Sequence, residues 1–185
     1  MKTFLPAVRL FIALTILTGV IYPLLVTGIA KAVFPKQAGG SLITVDGKVA
    51  GSELLAQRFG ADNYFWARPS VGDDGTNYAT VASSASNLGP TSSKLADAVQ
   101  SRLVSFRSAN GLATNAPVPA DMAFASGSGL DPHISPEAAR LQIGRVATAR
   151  KFDGDQKQKL SMLVEQSIEP PQLGFLGEPR VNVLS

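Results

Sequence analysis

The sequence predicts an α+β protein, with one N-terminal transmembrane helix followed by a domain that combines a small sheet with several helices. Three observations lead to this prediction. The run from Leu10 to Ala30 carries no charged residue, short strand-like segments follow it, and helical apolar spacing dominates the second half. With 185 residues, the chain is long enough for one domain and an appendage.

The apolar run is long enough to cross a membrane. A helix over residues 10–30 reaches roughly 30 Å, the thickness of a bilayer's hydrocarbon core. A cleaved secretory signal is the alternative, because Ala30-Lys31-Ala32 resembles a cleavage site. The apolar part of such a signal usually spans only about 7 to 15 residues. We therefore expect an uncleaved anchor, with a tail at 1–9, a transmembrane helix at 10–30 and a domain at 31–185.

The charges on either side of this helix are nearly balanced. Lys2 and Arg9 precede it, and Lys31 and Lys36 follow it. A short tail followed by a long domain favours a cytoplasmic N-terminus and an extracytoplasmic domain.

One side of the helix carries a row of small or helix-kinking residues at four-residue spacing: Thr15, Gly19, Pro23 and Thr27. Such a row suits close packing against a partner helix. The alternative is that Gly and Pro are simply more frequent in membrane helices than in soluble ones.

The residue pattern in the first part of the domain predicts strands and a loop. Ser41 to Val49 alternates apolar and polar residues around Asp46-Gly47, which is typical of a hairpin. Tyr64 to Ala67 predicts a short aromatic strand, and the Gly-, Ser- and Asn-rich stretch from Ser70 to Ser93 predicts a loop.

The residue pattern in the second part of the domain predicts mainly helices. Residues 92–109 have helical apolar spacing over Leu95, Val99, Leu103, Val104 and Phe106. Two more helices are expected, one from Ser135 to about Arg150 and one after Gly154 with Leu160, Leu163 and Val164 buried, ended by Pro170-Pro171. Strands are predicted at Met122 to Ala125 and Val181 to Leu184.

Composition excludes several kinds of protein. Without Lys2 and Arg9 the chain keeps 15 basic residues against 14 acidic ones, with no basic cluster, so nucleic acid is not an expected partner. The sequence has no cysteine, which excludes disulfides and thiolate metal sites.

The only histidine, His133, offers little support for a catalytic or metal site. A metal site would need further ligands, and no second histidine and no paired carboxylates stand at a metal-binding spacing in the sequence. The G-x-S-x-G pattern of serine hydrolases and the phosphate-loop pattern are absent as well. Asp131 and His133 are instead expected to fix a loop through local hydrogen bonds. Ser135 is predicted to cap the following helix, and Pro136 fits its first position.

Ordered motifs give the chain a family resemblance. The segments are Thr18 to Leu25, Gly40 to Ile43, Tyr64 to Ser70, Ser84 to Pro90, Ser126 to Pro136, Arg145 to Arg150 and Glu178 to Leu184. Their order resembles the C subunit of the Kdp potassium-transporting P-type ATPase over nearly the whole chain.

The resemblance implies an accessory subunit in the bacterial inner (plasma) membrane with its domain outside. It implies as partners a channel-like A subunit, a P-type ATPase B subunit, a small F subunit and membrane lipid, with potassium as the transported ion. No cofactor of its own is implied, since ATP and Mg²⁺ are bound by the ATPase subunit.

Two roles are compatible with this resemblance. In one, the domain is a non-catalytic module that stabilises assembly and covers the outer face of the channel-like subunit. In the other, proposed for the family, it is a catalytic chaperone that raises ATP affinity through a glutamine, here Gln142. A domain outside the membrane cannot contact a nucleotide bound in the cytoplasm and could affect it only through coupling across the membrane. This favours the first role.

Overall fold

The computed structural model describes residues 3–57, 59–70 and 83–184. The chain divides into two compact units, Met1–Ser52 and Glu53–Ser185. The first holds an apolar helix and a hairpin, and the second holds three longer helices and a small sheet. This is the predicted α+β fold. The predicted limits of the transmembrane helix, between residues 9 and 10 and between residues 30 and 31, describe where the chain would enter and leave a membrane, and they stay predictions.

The N-terminal helix runs from Phe4 to Val33 and is long and apolar enough to cross a membrane. It consists of α1 (Phe4–Ile16), a π-helical segment (Leu17–Ile21) and α2 (Tyr22–Val33). It is longer than the predicted 10–30, because the flanking residues are also good helix formers and Pro6 lies in the first turn, where it is tolerated.

The π-helical segment has a local cause in Pro23. Proline has no N–H to donate to the carbonyl of Gly19, and its ring crowds that carbonyl. The helix widens just before it, so that the Tyr22 N–H donates to the carbonyl of Leu17, five residues back.

The predicted hairpin is confirmed. A short α3 (Pro35–Ala38) leads to β1 (Leu42–Val45), which pairs antiparallel with β2 (Lys48–Ser52). Asp46 and Gly47 form the turn with φ of 50° and 75°, the left-handed conformation that two-residue hairpin turns require.

The second unit is built around three helices: α4 (Ser93–Ala109), α6 (Pro136–Ala149) and α7 (Gly154–Gln166). All three follow the predicted helices closely. Asp153 caps α7 in a reciprocal pair with Gln156, in which each side chain accepts a hydrogen bond from the other residue's backbone N–H. The helix ends at Gln166, four residues before the prolines that were expected to stop it.

A three-stranded antiparallel sheet closes this unit, in the order β3 (His133–Ile134), β5 (Arg180–Asn182), β4 (Ile168–Glu169). Of these three strands only β5 was predicted from the sequence, and it begins one residue earlier than expected. β3 and β4 have two residues each, too short for an alternating pattern to reveal.

The core lies between the sheet, α6 and the ends of α4 and α7. Its buried members are Phe106, Met122, Ile134, Ala138, Ala139, Ile143, Val164 and Val181. Leu163, which was predicted to be buried, is more than half exposed, and so is Val104, which shares the apolar spacing of α4. Nearby residues take the inward positions: Phe106, two residues after Val104, and Val164, one residue after Leu163.

Two predicted strands are wrong. Met122 to Ala125 instead contains α5 (Ala120–Ala123), a single helical turn in which the Phe124 N–H donates to the carbonyl of Ala120. Tyr64 lies in a bend and residues 65–67 have no regular secondary structure, so this segment is not a strand. Its backbone groups bind side chains of α6, as described below. Within the predicted loop from Ser70 to Ser93, residues 83–92 are irregular up to a turn before α4, and 71–82 lie outside the described residues.

Candidate functional site

Gln142 is fully buried on the inner face of α6 and pairs with the backbone of Trp66. Its Oε1 accepts the Trp66 N–H at 2.7 Å, and its Nε2 donates to the Trp66 carbonyl at 3.3 Å. The side-chain amide therefore does for Trp66 what a neighbouring strand would do in a sheet. The backbone of Trp66 thus has hydrogen-bond partners although it belongs to no strand.

Arg145 completes the same contact one turn later on α6. It donates to the carbonyls of Asp62 at 2.7 Å and Tyr64 at 3.0 Å, and to Oε1 of Gln142 at 2.7 Å. Its guanidinium also stacks on the Trp66 ring, 4.1 Å from the ring centroid. We call Gln142, Arg145 and Trp66 the buried clamp.

The clamp also reaches the end of α4. Arg145 Nε donates to the side-chain oxygen of Asn110 at 3.1 Å, and Asn110 Nδ2 donates back to the carbonyl of Phe106. Burial lowers the pKa of Arg145, partly opposed by the charge of Asp62. Arginine is so strongly basic that it stays charged even so, and the charge is shared among backbone and amide oxygens.

Asp131 and His133 form a second polar cluster, at the start of β3. One carboxylate oxygen of Asp131 accepts the His133 N–H at 3.0 Å and lies 3.0 Å from His133 Nδ1, and the other accepts from Arg68 at 3.1 Å. Burial raises the pKa of the Asp131 carboxyl, but the hydrogen bonds from His133 and Arg68 more than offset it, so its pKa lies below the ordinary value.

Ser135 and Pro136 begin α6 as the sequence predicts. The Ser135 hydroxyl accepts the Ala138 N–H at 3.1 Å, and Pro136 occupies the first turn. Asp121 binds Ser135 from α5, accepting its N–H at 2.7 Å and its hydroxyl at 3.1 Å. Asp121 was not predicted from the sequence, because its partner lies 14 residues away on another element.

The row Thr15, Gly19, Pro23 and Thr27 lies exposed along the N-terminal helix. In an ideal α-helix, each step of four residues advances about 40° beyond a full turn, so the row would wind round the helix. The π-helical segment takes more residues per turn and removes part of that drift. A methyl group added at Gly19 would meet no atom within 4 Å.

The described residues hold no group of three or more His, Asp or Glu side chains placed to bind a metal ion. The two polar clusters instead join segments that are distant in sequence. Their side chains act on backbone groups, which is how polar residues position loops.

These features define the chain as a protein with a helix able to span a membrane and an α+β domain whose loops are held in place by buried polar side chains. The chain belongs to the family described as KdpC: K+-transporting ATPase, c chain, whose model matches residues 4–185. This confirms the family resemblance drawn from the ordered motifs.

Curated relatives match the chain over nearly their full length. The chain is 53% identical to the potassium-transporting ATPase KdpC subunit of Rhodospirillum rubrum, covering 100% of this chain and 93% of the relative. It is 50% identical to the subunit of the same name from Methylococcus capsulatus, covering 98% and 93%, and 52% identical to that of Dechloromonas aromatica, covering 100% and 94%.

Proposed function

We propose that this chain is a non-catalytic accessory subunit of an ATP-driven potassium uptake complex, stabilising its assembly and covering the outer face of its channel-like subunit. Family membership and the membrane-spanning helix support this role. Residues 1–9 would be cytoplasmic, 10–30 would span the inner membrane, and 31–185 would lie outside.

The partners in this proposal are the channel-like A subunit, the P-type ATPase B subunit and the small F subunit. ATP and Mg²⁺ bind the B subunit, and this chain has no cofactor of its own. The row Thr15, Gly19, Pro23 and Thr27 would pack against a partner helix, since its small side chains allow close approach.

The observation that carries the choice between the two roles is the environment of Gln142. The chaperone role assigns this residue to a nucleotide contact. Its side chain is fully buried, and both its oxygen and its nitrogen are engaged by Trp66 and Arg145. A nucleotide would have to break these bonds and leave buried polar groups without partners, at a cost of about 1–3 kcal/mol for each group. The buried clamp therefore favours a structural role for Gln142.

The test is to purify the complex, through a tag on the B subunit, from cells with and without this chain. We expect the A and B subunits to separate during purification when the chain is absent, with loss of potassium-stimulated ATP hydrolysis. An intact A–B complex whose ATP affinity alone has weakened would contradict the assembly role and favour the chaperone.

A further inference from the structure

The turn between β4 and β5 carries an exposed apolar tip, formed by Leu173, Gly174, Phe175 and Leu176. The side chains of Leu173 and Phe175 are 82% and 74% exposed, the highest values among the large apolar residues described in the second unit. Leu176 is 50% exposed. Single exposed apolar residues are common, but three within four residues form a patch that indicates an interaction site.

The backbone holds this tip in a defined shape. Gln172 and Leu176 exchange two backbone hydrogen bonds, each of 2.9 Å. Leu173 has a φ of 54° and Gly174 a φ of 81°, so a leucine occupies the left-handed region that non-glycine residues rarely adopt. Below the tip, Arg180 Nε donates to a carboxylate oxygen of Glu169 at 2.9 Å and joins the two strands. The fold thus presents two large apolar side chains to solvent on a strained, fixed turn.

The charges around the tip indicate what covers it. Between residues 168 and 180 the chain has two acidic residues, Glu169 and Glu178, and one basic residue, Arg180, which pairs with Glu169. Segments that dip into a membrane surface usually carry basic residues, which are attracted to anionic lipid headgroups. The charge that this pair leaves beside the tip is that of Glu178, which disfavours contact with anionic lipid and complements a basic rim on a protein surface.

We propose that the apolar tip docks into an apolar socket, bordered by basic side chains, on another chain of the potassium-transporting ATPase complex. The inference rests on the proposed function, because it assumes that this chain assembles with other subunits. It adds a specific contact made by the second unit, separate from any packing of the N-terminal helix.

The test compares how fast full-length variants dissociate from the assembled complex in detergent. The double variant L173D/F175D should dissociate about a hundredfold faster than wild type, because two buried apolar side chains are replaced by charges. The matched control is V104D/M162D, which places the same charges at two exposed apolar positions on α4 and α7. It should dissociate at the wild-type rate, and equal effects of the two double variants would overturn the proposal.

Leu173→Gly separates docking from folding. Glycine adopts the φ of 54° without strain, so this variant should unfold at the same or a higher temperature than wild type. It should nevertheless dissociate about tenfold faster, because the most exposed apolar side chain is gone. An unchanged dissociation rate in a stable Leu173→Gly complex would contradict docking through the tip.

A fluorescence measurement tests the lipid alternative. Phe175→Trp places a reporter at the tip of the full chain, and the signal of Trp66, the only native tryptophan, is subtracted using wild type. In nanodiscs containing brominated phosphatidylcholine and phosphatidylglycerol, we expect no quenching of the isolated chain and a blue shift once the complex assembles. Quenching by brominated acyl chains without the other subunits would overturn the proposal in favour of a lipid contact.

Failure of this inference is distinguishable from failure of the proposed function. If removing the whole chain disrupts the complex while L173D/F175D dissociates at the wild-type rate, the tip is not a docking element and the accessory role stands. If the complex assembles normally without the chain, the accessory role fails and the tip proposal fails with it.

Discussion

The side chain of Gln142 pairs with the backbone of Trp66 through two hydrogen bonds, of 2.7 Å from the Trp66 N–H and 3.3 Å to its carbonyl. This pairing joins two parts of the chain 76 residues apart. Because the amide is wholly buried, water cannot replace its hydrogen bonds, so a variant that loses them loses their whole contribution to stability.

Gln142→Ala should lower the free energy of unfolding of the second unit by about 2–4 kcal/mol, because it leaves the Trp66 backbone groups and part of Arg145 without partners. Urea unfolding followed by the fluorescence of Trp66 measures the change. Gln100→Ala, an exposed change of the same chemistry on α4, should stay within about 0.5 kcal/mol of wild type. A Gln142→Ala protein that is as stable as wild type, yet weakens ATP binding by the complex, would contradict the structural role.

Arg145→Lys should also be strongly destabilising, by about 2–3 kcal/mol, although the charge is kept. The single nitrogen of lysine cannot reach the four acceptors that the three guanidinium nitrogens bind, and lysine has no planar group to stack on Trp66. The control is Arg140→Lys on the same helix, where an exposed arginine pairs with Glu165 at 2.6 Å. Its unfolding midpoint should stay close to that of wild type, and equal losses in both variants would show that the clamp has no special role.

Asp131 should contribute to the pH dependence of stability. Its folded pKa lies below the ordinary value of about 3.9, so its stabilisation is complete above that pH and is lost as the pH falls through the folded pKa. Asp131→Asn should therefore be less stable than wild type at pH 7, and the difference should shrink below about pH 4. Asp97→Asn, an exposed change on α4, provides the control in urea unfolding from pH 7 to 2. A difference that stays constant over this range would contradict the ion pair.

The helix row gives a prediction about assembly. Gly19→Leu together with Thr27→Leu should reduce co-purification with the other subunits by about tenfold or more, because large side chains prevent close helix packing. A Cβ added at Gly19 meets no atom within 4 Å, so we expect the chain itself to tolerate the change there. Leu24→Phe, on an exposed position outside the row, should co-purify normally. Full co-purification of the double variant would mean that another face of the helix contacts the partner.

Sequence patterns predicted the local elements well. The hairpin turn at Asp46-Gly47, the cap at Ser135 and the three long helices depend on residues that are close in sequence, where spacing and propensity act directly. The apolar helix was also predicted, since its signal is its composition.

The errors came from contacts between distant residues. Tyr64 to Ala67 has the composition of a strand, but its partners are the side chains of Gln142 and Arg145, which no local pattern reveals. The only sequence signal for the clamp is a polar pair three residues apart on the face of α6 that also carries Ala138, Ala139 and Val146. The tip at Leu173 and Phe175 was likewise invisible, because exposure of apolar residues in a turn depends on the fold around it.

The sidedness of the second unit tests the central claim most directly. The chain has no cysteine, so Ser108→Cys, at an exposed position on α4, gives a single reporter for a membrane-impermeant maleimide. Thr3→Cys provides the matched reporter near the N-terminus. An outer accessory subunit predicts labelling of Cys at 108 in intact right-side-out vesicles, and labelling at 3 only after permeabilisation. Labelling at 108 only after permeabilisation would place the domain beside the cytoplasmic nucleotide and contradict the account.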